Sequence, residues 1–160
     1  VRGTLAGSLL ERRSLRVAFD ASVHGWSASD FHRRCDGLGP AVMIARTAKG
    51  ALVGEYNPSG WASLGGARPR NDAFLFTYPS GLLPQNTACA VPKSWRRGAS
   101  RALDDPSAGP CFGPDALVIP LDRLAPRVAR SRLGAVYALA PNGGRSIFGG
   151  GAARSKAQRG

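Results

Sequence analysis

Few side chains in this 160-residue chain carry reactive chemistry, and their spacing decides which chemistry is open to them. Cys35, Cys89 and Cys111 stand too far apart for a paired zinc-ligand motif, and His24 and His32 do not complete one. No metal or cofactor is expected. As thiols, Cys35 or Cys111 could serve a redox enzyme. The competing reading makes Cys35 a small buried residue on the inner face of a short helix, four residues after Phe31, and it is the one adopted. Asp104 and Asp105 are adjacent, but in a Pro/Ser-rich loop such a pair reads as a solvated turn rather than an acid–base couple. His24 beside Gly25 reads as lining a turn, and His32 beside Arg33 and Arg34 as facing solvent. There is no G-x-S-x-G elbow. Gly37-Leu38-Gly39 lacks a third glycine at Val42, and Gly149 to Lys156 lacks the glycine that a phosphate loop sets before its lysine. The expectation is a protein without enzymatic activity.

Charge offers a second kind of chemistry. The net charge is +12, and from Arg123 to Gly160 there are eight basic residues and no acid. Lys93, Arg96 and Arg97 surround Trp95, with Arg101 beyond, and Arg154, Lys156 and Arg159 lie near the C-terminus. These seven are the candidate phosphate contacts, and weak, sequence-independent nucleic-acid binding is their expected consequence. A blander origin exists: arginine outnumbers lysine 19 to 3 in a chain also rich in Ala, Gly and Pro, as a coding bias would produce.

The elements that must position these residues are short. Ser27 followed by Asp30 has the form of a capping box, so a helix starts there; Gly37 and Gly39-Pro40 stop it. Ala41 to Ala45 is an unbroken apolar run, expected to be a central strand covered on both faces, and Ala48-Lys49-Gly50 turns it into Ala51 to Tyr56. Leu15 to Phe19 alternates as a half-buried strand should. Leu64 to Asn71 reads as loop, and Ser80 to Pro110 shows no periodicity in which to place a strand. Ala73 to Tyr78 is a strand expected to point Phe74 and Phe76 into the core and Leu75 and Thr77 away, and Asp115 to Pro120 is another. Gly134 to Ala140 and Arg145 to Phe148, joined at Asn142-Gly143-Gly144, read as a second hairpin. Val42, Ile44, Phe74, Phe76, Leu117 and Ile119 form the expected core. Five short strands and one well-capped helix predict an α+β domain: a β-sandwich-like core of two mainly antiparallel sheets with a few short helices.

In order and spacing, Phe31, Cys35, Asp36, Gly39, Pro40, Gly54, Tyr56 and Trp61 resemble the core of a TLDc domain. Phe74 and Phe76 in Asp72 to Phe76, and Gly109, Pro110, Phe112 and Gly113 ahead of an apolar strand, extend the likeness, which is best over residues 15–119. A single domain over 1–151 with a basic tail at 152–160 is expected, the closing strand that the resemblance implies being absent or eroded at that end. The resemblance implies a protein-interaction module without an established active site. It also implies a role in oxidative-stress resistance and, as for several family members, a vacuolar-type proton ATPase as partner. The alternatives are a basic component of a nucleic-acid or ribonucleoprotein assembly, and a thiol-dependent antioxidant enzyme. No apolar run approaches the roughly 18 residues that cross a bilayer, so no transmembrane segment is expected. Val1 to Leu10 lacks an apolar signal-like core, and the odd cysteine count favours a reducing compartment.

Overall fold

Ser27 stands in an extended conformation and its hydroxyl accepts from the Asp30 N–H, so the helix α2 (Ala28–Cys35) begins where the sequence places its cap. Asp30 holds Arg33 one turn on at 2.5 Å. A shorter helix, α1 (Ala21–His24), precedes it, capped by Asp20 and closed by the His24 imidazole accepting from the Asp20 N–H. The computed structural model of the chain describes residues 2–69, 72–78, 89–91, 101–113, 115–122, 128–135, 137–140 and 143–148.

Strand β1 (Ala41–Arg46) returns as β2 (Leu52–Asn57) through a turn in which Gly50 bonds back to Thr47 with φ 86°. That backbone angle suits glycine, and it fixes the register. Val42 lies across from Tyr56 and Ile44 from Gly54. The main sheet then adds β4 (Phe74–Tyr78) and β5 (Cys89–Val91), in the order β1-β2-β4-β5, antiparallel throughout. Among the described residues two small antiparallel pairs complete the strands: β3 (Ala67–Pro69) with β6 (Arg101–Leu103), and β7 (Cys111–Phe112) with β8 (Leu117–Val118). The architecture is α+β, with antiparallel sheets and a few short helices.

The principal core lies on one face of the main sheet, where Val53 and Leu75 meet Phe31 and Cys35 of α2, Trp61, Phe112, Leu117 and Ile119. The other face carries a row of rings, Tyr56, Phe74, Phe76 and Tyr78, with successive centroids 5.3 to 6.4 Å apart. An N-terminal 3-10 turn (Arg2–Leu5) lies over that row: Thr4 Oγ1 bonds the Tyr78 hydroxyl, and the Leu9 N–H donates to the Tyr56 hydroxyl at 3.2 Å. Gly54 sits beneath the rings. A Cβ there would lie 2.3 Å from the Met43 carbonyl oxygen and 2.4 Å from the Phe76 ring, so only glycine permits this approach.

Several expectations are corrected. Leu75 and Thr77 do not point away from the protein: Leu75 enters the principal core and Thr77 is buried, while Phe76 packs on the opposite face with Leu52 and Tyr78. The alternation was right, but both faces of β4 are covered. β1 is the edge of its sheet and β2 the interior strand, so Val42 is half-buried and Ile44 is 43% exposed, lying across from a glycine that offers it no side chain. Leu15 to Phe19 forms no strand; Phe19 packs edge-on against Phe31 while Val17 is exposed. Leu64 to Asn71 contains β3, and β5 and β6 fall within Ser80 to Pro110. Among the described residues, Gly134 to Phe148 is linked by turns rather than paired as a hairpin, with Tyr137, Ala140 and Ile147 buried. Leu117 and Ile119 are buried as expected.

Candidate functional site

The polar side chains that the fold gathers lie at the C-terminal end of α2. His32 is buried against Phe31, not facing solvent, with Nδ1 2.9 Å from Asp36 Oδ1 and Nε2 2.9 Å from the Ala108 carbonyl oxygen. A carbonyl only accepts, so Nε2 carries a proton. The second Asp36 oxygen accepts from the Ser63 hydroxyl. Asp104 is fully buried, and its carboxylate accepts from the Ala62 and Ser63 N–H groups at 3.2 and 3.3 Å. Backbone bonds between Asp104 and Gly65 and Gly66 join the same two loops. The solvated turn belongs to Asp105 alone, whose carboxyl the Ser107 hydroxyl and N–H hold below the usual range.

Serine, aspartate and histidine in contact invite comparison with a hydrolase triad, and the connectivity answers it. In that triad the imidazole stands between the hydroxyl and the carboxylate, so that the ring can take the serine proton. Here the carboxylate stands between, and the far ring nitrogen is held by a backbone carbonyl. Ser63 therefore bonds the Asp36 carboxylate directly and does not meet the imidazole as a triad serine does. The arrangement is a clasp that ties the end of α2 to residues 61–66 and 104–109. Apolar contacts run beside it: Trp61 meets Phe31 edge-on at 5.0 Å and Phe112 at 6.3 Å, and the Gly37 N–H donates to the Trp61 carbonyl at 2.9 Å.

Both described thiols are shielded. Burial pushes Cys35 up to about 11, and it raises Cys111 as well. A raised thiol is protonated at neutral pH and nucleophilically weak. On the core face of β2, Glu55 is also fully buried and accepts from the Tyr137 hydroxyl at 3.3 Å. No group of three or more potential metal ligands occurs among the described residues. Among the described residues, one open cleft of about 550 Å³ lies beside Trp26 to Ser29, Pro106, Ser107 and Leu121, and another of about 310 Å³ between Gly7 to Leu9 and the Tyr56 and Phe74 rings.

The sequence motif residues divide between these places. Phe31, Cys35, Trp61 and Phe112 share the principal core, Asp36 anchors the clasp, and Gly54, Tyr56, Phe74 and Phe76 build the aromatic face. Gly39 and the exposed Pro40 lead α2 into β1, while Gly109, Pro110 and Gly113 are buried around β7. Sequence reading missed His32, Ser63 and Asp104. The four-residue step from His32 to Asp36 was the available signal, since side chains so spaced meet on one helix face. Of the candidate phosphate contacts, Arg101 opens β6, and Lys93, Arg96, Arg97, Arg154, Lys156 and Arg159 lie outside the described residues. No described helix is long and apolar enough to cross a membrane.

The family model of the TLDc domain matches residues 4–114. No curated protein and no solved structure matches the chain. The matched span contains α2, the main sheet, the clasp and every motif residue named above, so this chain belongs to the TLDc domain family.

Proposed function

We propose that the chain is a non-enzymatic protein-interaction module of the TLDc type. The observation that carries this reading is how the reactive side chains are used: His32, Asp36 and Ser63 close on one another and on a backbone carbonyl, and the described thiols are buried and protonated. What the chemistry holds in place is the loops 61–66 and 104–109, which present 64–66, Pro106 and Ser107 to solvent. The family resemblance adds a link to oxidative-stress resistance and a vacuolar-type proton ATPase as partner. The same burial speaks against a thiol-dependent antioxidant enzyme, because a peroxidatic cysteine must reach solvent as a thiolate.

Capture of vacuolar-type ATPase subunits by the immobilised chain, in nuclease and reductant, tests the reading. Capture should persist when Cys35→Ala and Cys111→Ala are combined in a variant that still folds. Peroxide consumption by the wild-type chain that this variant lacks would overturn it.

A further inference from the structure

We infer that the outer edge of β1 receives an extended partner segment that adds to the main sheet as a fifth, antiparallel strand, an acidic residue at its N-terminal end and apolar residues at alternate positions after it. This deepens the interaction-module reading and rests on it. The Thr47 N–H donates to the Ala51 carbonyl at 2.8 Å, which sets the parity of the hairpin. With the register of β1 on β2, Ala41, Met43 and Ala45 turn their backbone groups toward β2, and Val42, Ile44 and Arg46 turn theirs outward. No described residue bonds to that outward row. Natural edge strands are usually blunted by proline, lysine or a bulge. Between Ala41 and Arg46 the register is unbroken, no proline or lysine occurs, and the one charge, Arg46, stands at the end of the strand.

The side chains of the outward row give the partner its chemistry. Val42 and Ile44 stand on the ring-bearing face with Ile44 43% exposed, so they take apolar neighbours from an added strand. Arg46 is exposed, giving a single bond to the Gly50 carbonyl, and the exposed Lys49 follows it, so this end of the edge is basic. Every neighbouring pair in the main sheet is antiparallel, and that pairing is the more stable per residue. An antiparallel segment reaches Arg46 first and Val42 last. A second copy is a poor occupant: each carries +12, and antiparallel pairing about Ile44 would set each Arg46 across from Val42, where no acid meets it.

The probe is a synthetic peptide of two glutamates followed by alternating valine and threonine, added to the full chain. Amide hydrogen exchange at Val42, Ile44 and Arg46 should slow on adding it, while Ala41, Met43 and Ala45, already bonded to β2, stay unchanged. Ile44→Pro removes an outward N–H without touching the β2 ladder, and should weaken the peptide about tenfold, the effect of about one net hydrogen bond. Since that variant's fold must be checked by thermal unfolding, Arg46→Glu is the second arm, and it should reverse the preference to a lysine-led peptide. Slowing at all six residues alike or at none, unchanged affinity in folded Ile44→Pro, or the same protection from dimerisation without peptide would each overturn the inference. ATPase capture that persists while these amides stay unprotected removes the edge but leaves the module reading standing.

Discussion

The burial of Cys35 has a consequence at alkaline pH. Its pKa is raised from 9.0 to about 11, first by desolvation and then by the neighbouring Asp36 carboxylate, so the folded state holds the thiol proton more tightly than the unfolded chain does. The stability this contributes is present below about pH 9 and is lost as pH rises toward about 11. Denaturant unfolding across that range should fall more steeply for the wild type than for Cys35→Ala, which should itself cost about 1 kcal/mol at neutral pH. Thiol reagents should reach Cys35 more slowly in the native protein than in an unfolded control; equal rates would contradict its burial. Gly54→Ala should cost about 1–3 kcal/mol in the same assay, because the added methyl meets a carbonyl and a ring that cannot both move. Single residues were partly legible in the sequence. Phe31 and Cys35 declared themselves by helical spacing, whereas His32 was masked by the two arginines beside it, and the burial of Asp104 is decided by loops far apart in the chain.

Among the elements, the helix and the first hairpin could be read because their signals are local: a serine cap, a left-handed glycine stop and a three-residue turn. Which strand is central could not, since that depends on β4 arriving beside β2 rather than β1, a pairing no short stretch encodes. Continuous apolarity made Ala41 to Ala45 look interior, and the glycine opposite Ile44 is what leaves it open. Amide exchange should therefore be slowest in β2, which is buried along its whole length, and fast in Leu15 to Phe19, which pairs with nothing in a sheet. Protection of 15–19 equal to that of β2 would show that the alternation there does form a strand.

At the scale of the whole molecule, the charge and the family membership pull toward different partners. A net charge of +12 concentrated toward the C-terminus favours polyanions, while the TLDc fold and its inward-turned chemistry favour protein contact. The two are separated by salt. Neutralising about 6–10 phosphates costs roughly 10³–10⁵ in affinity between 50 and 200 mM salt, whereas docking through a compact mixed surface changes far less. Any nucleic-acid binding should be weak, and should be largely lost when the basic residues beyond Arg123 are neutralised. Titrating the full chain against vacuolar-type ATPase subunits, the proposed partner, and against a random RNA, from 50 to 200 mM salt, tests the interaction-module account most directly. It predicts a protein affinity that changes less than about tenfold beside a steeply falling RNA affinity. Nanomolar, sequence-selective RNA binding that survives at physiological salt, with no measurable protein binding, would contradict it.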